Sequence, residues 1–205
     1  MSIVEAPEPA ADVVALRTAG GACHPLDVRR WMAPADAVDL AVLSGIEGPV
    51  IDVGCGPGRM VAALAESGMP ALGIDVAPTA LAAARRRGAS VLDRSVFGTV
   101  PGEGRWATAL LYDGNVGIGG DPAWLLARVG RLVRRSGIII VELGPPGTGL
   151  QREQVTVDGA GLDDRWFPWA WLGVDALDEV IKGTGLVVEM CVAVEERWFA
   201  RLRSV

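Results

Sequence analysis

The sequence predicts a single α/β domain in which helices cover a doubly wound, mostly parallel sheet of seven strands that ends in an antiparallel hairpin. Two observations lead to this prediction. Short apolar segments and helical segments alternate along most of the chain, which is typical of a doubly wound sheet. In addition, residues 138–141 are apolar at successive positions (Ile-Ile-Ile-Val), as expected for a parallel strand that is buried on both faces.

The order of the elements follows from apolar runs and their boundary residues. Helices are recognised by proline or aspartate at the start and by arginine and glycine at the end. The predicted strands span residues 50–53, 71–75, 90–92, 108–112 and 138–141, followed by a closing hairpin over residues 186–194 and 197–202. The predicted helices span residues 34–45, 60–66, 78–87, 122–135 and 174–182. Residues 144–173 show no clear periodicity.

The start of the chain is acidic and interrupted by prolines, with neither the basic start nor the apolar core of a signal peptide. We expect residues 1–30 to form a flexible or lid-like segment and residues 31–205 to form one domain. No apolar run approaches the ~20 residues needed to cross a bilayer.

The composition indicates a globular protein with a sizeable core, since 50% of the 205 residues are hydrophobic and 21% are charged. A formal net charge of −6 argues against nucleic acid or an anionic membrane as a partner, because both attract positively charged surfaces. We therefore expect a small-molecule partner. The three cysteines lack ligand spacing, so neither a disulfide framework nor a metal site is expected, and a reducing cytoplasm is the expected location.

The most informative segment runs from residue 50 to residue 59, with the sequence Val-Ile-Asp-Val-Gly-Cys-Gly-Pro-Gly-Arg. A dinucleotide-binding fingerprint would place a small residue at position 59, where this chain has Arg59. A Walker loop is excluded because no Gly-Lys-Ser/Thr follows. The remaining pattern is G-x-G-x-G with Asp52 two positions before it.

This pattern resembles the first motif of class I S-adenosylmethionine-dependent methyltransferases, which have a Rossmann-like fold. The resemblance implies S-adenosylmethionine as the cofactor and S-adenosylhomocysteine as the product. In such a site Asp52 would face the ammonium group directly or through water, and the glycines would let the backbone approach the ligand. The start of the next helix would suit the ligand carboxylate. The implied cofactor-binding residues are Asp52, Gly54, Cys55, Gly56, Gly58, Asp75, Val76, Asp93 and Arg94.

The resemblance extends beyond the glycine motif. Asp75 ends the second predicted strand, where such families use an acidic side chain to accept hydrogen bonds from both ribose hydroxyls. Asp93 follows the third strand, where the family often has a residue near the adenine. Residues 132–137 look like the family's turn before the fifth strand, although Ser136 stands in place of proline.

The loop over residues 112–122 resembles that of a compact bacterial subgroup and would meet the methyl acceptor. Asp113, Asn115 and His24 are the candidate catalytic residues, and His24 is included as a general base because it is the only histidine. Two of them also have a structural interpretation, Asp113 as a turn residue and His24 as a solvated or structural side chain. The Asn-Pro-Pro-aromatic motif of families that methylate exocyclic or amide nitrogens is absent from this loop, which favours a small-molecule acceptor over nucleic acid.

Two further groups of residues could contact the acceptor. Glu142 follows the fifth strand, and an aromatic cluster lies in the aperiodic region as either an acceptor pocket or a packed lid. The members of this cluster are Trp166, Phe167, Trp169 and Trp171. Two other functions stay open, an NAD(P)-dependent oxidoreductase of similar topology and a non-catalytic S-adenosylmethionine-binding module. The acceptor atom, the need for a general base and the oligomeric state also stay open.

Overall fold

The computed structural model describes residues 14–158 and 165–205. The strands are β1 (Ala15–Thr18), β2 (Cys23–Pro25), β3 (Val50–Val53), β4 (Ala71–Asp75), β5 (Val91–Asp93), β6 (Trp106–Leu111), β7 (Val133–Leu143), β8 (Leu150–Asp158), β9 (Phe167–Leu172), β10 (Leu186–Val194) and β11 (Arg197–Ser204). The helices are α1 (Val28–Met32), α2 (Ala37–Leu43), α3 (Arg59–Glu66), α4 (Pro78–Arg86), α5 (Pro122–Gly130) and α6 (Leu177–Val180), with 3₁₀ turns at Asn115–Gly117 and Val174–Ala176.

The main sheet has seven strands in the order β10-β11-β7-β6-β3-β4-β5. Strands β5, β4, β3, β6 and β7 are parallel to one another, whereas β11 is antiparallel to both β7 and β10. The predicted doubly wound, mostly parallel sheet with an antiparallel closing hairpin is therefore confirmed. The carboxyl ends of β3, β4 and β6 meet at one edge of the sheet, which is where ligands bind in such folds.

One boundary was predicted incorrectly. The sequence extends the helix after Asp121 to residue 135, but α5 ends at Gly130 and β7 already begins at Val133. The apolar residues Leu132 and Val133 fit the period of the helix but lie beyond its end. Val133 belongs to β7, where it pairs with Trp106 in the parallel ladder. The arginines at positions 134 and 135 thus lie on a strand instead of at a helix end.

A second sheet is the largest feature that the sequence does not predict. It has four antiparallel strands in the order β2-β1-β8-β9. Strands β8 and β9 account for much of the aperiodic region, and the polar residues 151–154 of β8 are exposed, so no buried face is visible in their sequence. Strands β1 and β2 form a hairpin over residues 15–25, and β1 pairs with β8. Residues 1–13 of the predicted N-terminal segment lie outside the described residues, and the boundary at residue 31 stays a prediction.

The helices place their apolar sides against the main sheet. Helix α3 buries Met60, Val61 and Leu64, and α5 buries Leu125 and Val129. Helix α2 begins at Ala37, after the predicted Pro34, because Asp36 and Asp39 form a reciprocal capping box at this point. Among the helices of the described residues, none is long and apolar enough to cross a membrane.

Candidate functional site

The glycine loop connects β3 to α3 at the carboxyl edge of the sheet. Gly54, Gly56 and Gly58 all have positive φ angles, of 72°, 52° and 76°. A Cβ atom on Gly58 would lie 2.9 Å from the Cβ atoms of Ala84 and Ala89, whereas one on Gly56 would meet nothing within 4 Å. The packing of α3 against α4 therefore requires a glycine at 58, and the backbone at Gly56 faces open space where a ligand can approach.

The glycine loop holds the carboxylate of Asp75 in position. Its Oδ2 atom accepts a hydrogen bond from the backbone N–H of Gly56 at 2.8 Å, and its Oδ1 atom accepts one from the N–H of Ala77 at 2.8 Å. Each carboxylate oxygen has a second lone pair available. Asp75 is thus held in one orientation while it can still accept hydrogen bonds from a ligand diol.

Asp52 is a buried carboxyl group at the centre of the same edge. Its side chain is only 2% exposed and accepts no hydrogen bond from the described residues. Burial, together with the negative charges of Asp113 and Asp75, raises the pKa of Asp52 to about 8. A positively charged ligand group beside Asp52 would remove this penalty on the ionised carboxylate.

The other predicted cofactor residues lie along the adjacent strands. Asp93 is the register partner of Asp75 across the β4–β5 ladder, and the N–H of Arg94 donates to the Asp75 carbonyl at 2.9 Å. Asp93, Arg94 and Val76 are all exposed. Cys55 is buried, and burial, followed by the charges of Asp52 and Asp75, raises the pKa of its thiol. Cys55 therefore stays protonated and contributes packing to the loop.

The loop after β6 is tied to the glycine loop by Asn115. The Asn115 Nδ2 atom donates hydrogen bonds to the carbonyl oxygens of Val53 at 3.1 Å and Gly54 at 2.8 Å. A Cβ atom on Gly54 would lie 2.7 Å from this same Nδ2 atom, so the two loops are in direct contact. Asn115 thus positions one loop against the other.

Asp113 is held on two sides. Its φ angle is +55°, which is unusual for a residue other than glycine. The backbone N–H donates to Glu142 Oε2 at 2.7 Å, and both carboxylate oxygens accept from Arg59 Nη2, at 2.9 and 2.8 Å. Because its carboxylate is occupied by a guanidinium, Asp113 is poorly placed to accept a proton from an acceptor molecule.

Asp113 belongs to a buried ionic network that joins five parts of the chain. Asp39 on α2 is fully buried and accepts hydrogen bonds from both Arg59 and Arg197. Arg197 also donates to both oxygens of Glu142 at 2.8 Å. Although burial opposes the ionisation of Glu142, the hydrogen bonds and charge of Arg197 keep its pKa below the ordinary value.

Arg30 on α1 completes this network. Its Nη2 atom lies 3.5 Å from Asp113, 3.6 Å from Asp39 and 3.9 Å from Glu142. Sequence reasoning missed Arg30, Asp39 and Arg197, because these residues come together only in the folded chain. Arg59 gave one visible signal, since a cation in the first turn of a helix is unfavourable unless an anion compensates it.

The second sheet lies directly on the loop after β6. Ile118 forms an isolated bridge with Trp169 of β9. A Cβ atom on Gly117 would lie 2.0 Å from the Ala170 carbonyl and 2.8 Å from the Trp169 ring, so glycine is required for this contact. His24 lies on the same sheet with its ring centroid 4.3 Å from that of Trp171, and its ring makes no hydrogen bond to the described residues.

Metal binding finds no support in this region. Within residues 14–158 and 165–205, no group of His, Cys, Asp and Glu side chains has an arrangement that would hold a metal ion. The carboxylates of Asp113 and Glu142 are bound to guanidinium groups, and that of Asp75 accepts hydrogen bonds from backbone N–H groups.

Comparison with known proteins gives two results. Residues 50–98 match a family model described as a methyltransferase domain. No curated protein matches the chain.

Several solved structures have the same fold. A SAM-dependent methyltransferase from Bacteroides fragilis in complex with S-adenosyl-L-homocysteine is 18% identical, with a TM-score of 0.76 over 96% of this chain and 90% of that chain. The CcbJ methyltransferase from Streptomyces caelestis is 15% identical, with a TM-score of 0.64 over 85% of this chain and 92% of that chain.

The Burkholderia thailandensis 1,6-didemethyltoxoflavin-N1-methyltransferase, solved with 1,6-didemethyltoxoflavin and S-adenosylhomocysteine, is 21% identical, with a TM-score of 0.60 over 87% of this chain and 81% of that chain. The described part of the chain thus has the same fold as these methyltransferases, and residues 50–98 match the methyltransferase-domain model.

Proposed function

We propose that this chain, with its class I methyltransferase fold, transfers the methyl group of S-adenosylmethionine to a small-molecule acceptor. The observation that carries the proposal is the glycine loop at the carboxyl ends of β3 and β4, with open space at Gly56 and two carboxyl groups beside it. Asp52 is buried, and Asp75 is oriented by two backbone N–H groups.

These residues fit the chemical groups of S-adenosylmethionine. Asp52 would hold the ammonium group, because a cation lowers the free energy of its ionised carboxylate. Asp75 would accept hydrogen bonds from the ribose hydroxyls, with Asp93 and Arg94 on the adjoining strand near the adenine. The S-adenosylhomocysteine in the Bacteroides fragilis and Burkholderia thailandensis structures supports the same cofactor here.

The proposed catalysis is positioning and exclusion of water. When bound, S-adenosylmethionine supplies a methyl group on a sulfonium centre, which is open to in-line attack. Asp113, Glu142 and His24 are the candidate general bases, yet the first two are bound to arginines and the third packs against Trp171. We therefore propose an acceptor that reaches the site as an unprotonated nucleophile, and alignment supplies most of the rate enhancement.

The acceptor would lie between the loop after β6 and the second sheet. His24, Trp169 and Trp171 stand on one face of that sheet, because residues opposite one another in a ladder share a face and alternate residues of a strand do so too. His24 also contacts Trp171 directly, so this face is curved. Aromatic side chains on a curved face suit a small, partly apolar acceptor.

The decisive experiment combines ligand binding with product identification. S-adenosylhomocysteine at 100 times its dissociation constant should stabilise the protein by about 2.7 kcal/mol, whereas NADH should not. Methyl-labelled S-adenosylmethionine incubated with fractionated metabolites should then label one small molecule. Stabilisation by NADH alone would indicate an oxidoreductase, and tight cofactor binding without transfer to any fraction would indicate a non-catalytic module.

A further inference from the structure

The two sheets of the described residues have four edges, and three of these edges are protected. Strand β5, at one edge of the main sheet, has three residues. Strand β2, at one edge of the second sheet, also has three residues and ends in Pro25. Strand β9, at the other edge of that sheet, contains Pro168 and forms a bridge with Ile118. Short strands, prolines and local pairing keep an edge from adding a further strand.

Strand β10, the fourth edge, has none of these protections. It has the nine-residue sequence Leu-Val-Val-Glu-Met-Cys-Val-Ala-Val, without proline or lysine. One side of β10 pairs with β11, and no strand within residues 14–158 and 165–205 pairs with the other side. Val187 is 43% exposed and Met190 is 51% exposed. A long apolar edge whose backbone N–H and C=O groups are free is a template for pairing with another strand.

The one charged residue of β10 is directed toward its own chain. Glu189 accepts a hydrogen bond from Arg201 at 3.0 Å and also contacts Arg203, and both arginines lie on β11. A register shift between β10 and β11 makes Glu189 a bulge. The regular stretch that remains for pairing is therefore residues 190–194.

An apolar groove of about 250 Å³ lies beside this stretch, between β10 and α2. Met190, Val192 and Val194 line it from β10, and Ala41 and Val42 line it from α2. The three β10 residues alternate along the strand, so their side chains lie on one face of the sheet. A strand added at this edge would thus cover backbone groups and an apolar groove together.

The two ends of β10 carry opposite charges. Near Glu189, the two positive charges of Arg201 and Arg203 exceed the single carboxylate. At the other end, the turn to β11 carries the exposed carboxylates of Glu195 and Glu196. An antiparallel neighbour of the same sequence would place each positive end beside the other copy's acidic turn, whereas a parallel neighbour would bring like charges together. The edge is therefore complementary to itself in the antiparallel orientation.

We propose that β10 forms the interface of a two-fold symmetric dimer, in which residues 190–194 pair antiparallel with the same residues of a second copy. The two-fold axis passes at Val192, so Met190 packs against Val194 of the partner subunit and enters the groove beside α2. The main sheets of the two copies become one continuous sheet, and assembly stops at two because each copy has one unprotected edge. This interface stands whether or not the proposed function is correct.

The first test measures self-association by sedimentation velocity over a series of protein concentrations, where the parent chain should form a dimer. Met190→Lys places a charge in the apolar interface and should raise the dimer dissociation constant by about tenfold or more. Met32→Lys is the matched control, because Met32 is 50% exposed, lies on α1 and does not line the groove. This control should keep the dissociation constant of the parent.

Circular dichroism and the Tm at the lowest concentration should agree between the two lysine variants, which separates loss of the dimer from loss of folding. A parent chain that stays monomeric at every concentration would leave the edge to a strand of another protein and would overturn the proposal. Equal dissociation constants for Met190→Lys and the parent would locate the contact elsewhere and would also overturn it.

The second test measures the register by cross-linking, with the exposed Cys23 and Cys191 replaced by serine. Val192→Cys places two thiols opposite each other across the axis. Opposed Cα atoms of antiparallel strands lie about 4.5 to 5.5 Å apart, within the range of a disulfide, so diamide oxidation should link the dimer. Val187→Cys is the control on the same strand, because its two copies would lie about 30 Å apart and should not link. Equal linking of the two variants, or none in either, would overturn the proposed pairing.

Discussion

The two halves of the candidate site are built by different kinds of contact. On the cofactor side, Asp75 is held by the backbone N–H groups of Gly56 and Ala77, so the geometry depends on the path of the main chain. On the acceptor side, Asp113 is held by side chains, through Arg59 and Glu142. A backbone cradle tolerates most side-chain changes, whereas a network of buried charges fails when one member is removed.

The two halves also differ in how far apart their residues are along the chain. Residues 50–98, which include the residues proposed to bind the cofactor, match a methyltransferase-domain model by themselves. The acceptor side joins Asp39 to Arg197, which are 158 positions apart. We therefore expect changes on the acceptor side to affect folding of the whole domain and changes on the cofactor side to affect mainly ligand binding.

The largest effect should come from Arg59→Met, which removes the guanidinium shared by Asp39 and Asp113. Because Asp39 is fully buried, we expect a loss of about 3 kcal/mol in the free energy of unfolding, measured by urea denaturation. Arg94→Met, at an exposed position on the cofactor side, should stay within about 0.5 kcal/mol of the parent. Similar losses in the free energy of unfolding for the two variants would show that the two halves do not differ in their effect on folding.

Two glycine substitutions separate packing from ligand approach. Gly58→Ala combines left-handed strain with a collision against Ala84 and Ala89 and should cost about 3 kcal/mol of stability. Gly56→Ala introduces strain alone and should cost about 1 kcal/mol, yet it should weaken S-adenosylhomocysteine binding at least tenfold because its methyl group enters the open space. Unfolding curves and calorimetry measure both effects. Unchanged affinity in Gly56→Ala would place the ligand elsewhere.

The raised pKa of Asp52 makes both the stability of the protein and its affinity for the ligand depend on pH. Its folded pKa is about 8 against an ordinary 3.8, so between roughly pH 4 and pH 8 the folded state keeps a proton that the unfolded state has lost. Stability therefore falls as the pH rises through this window. A bound ammonium favours the ionised carboxylate, so S-adenosylhomocysteine affinity should rise from pH 6 to pH 8, by at most tenfold per unit, or about 1.4 kcal/mol.

Calorimetry in two buffers of different ionisation enthalpy should show a proton released on binding by the parent protein and none by Asp52→Asn. The variant also controls for titration of the ligand itself. If the parent and the variant release protons equally, Asp52 does not face the ammonium group.

The diol contact gives a further test on the cofactor side. Asp75→Ala removes a charged acceptor and should weaken S-adenosylhomocysteine binding by about 2 kcal/mol. Asp178→Ala is the matched control, since Asp178 is an exposed aspartate on α6 that belongs to no part of the candidate site. Calorimetry that finds the two variants equal would take Asp75 out of the ribose contact.

The sequence by itself determined the seven-stranded sheet and the glycine loop at its carboxyl edge, to which we assign the cofactor. Apolar runs specify buried parallel strands, and the G-x-G-x-G motif needs positive φ at three positions, which only glycine adopts freely. Asp52 and Asp75 follow from the same local logic, because each lies at or near the end of a strand adjoining that loop.

Only the tertiary structure decided the acceptor side. Asp113 looked like a candidate catalytic residue, but Arg59 and Glu142 give it a structural partner on each side. Ion pairs between distant residues leave no periodicity in the sequence, and the polar strand β8 has no buried stripe that would reveal the second sheet. The local conformation of the backbone depends on neighbouring residues, so it can be predicted from the sequence. Charge pairs and the pairing of sheet edges depend instead on which distant segments the fold brings together.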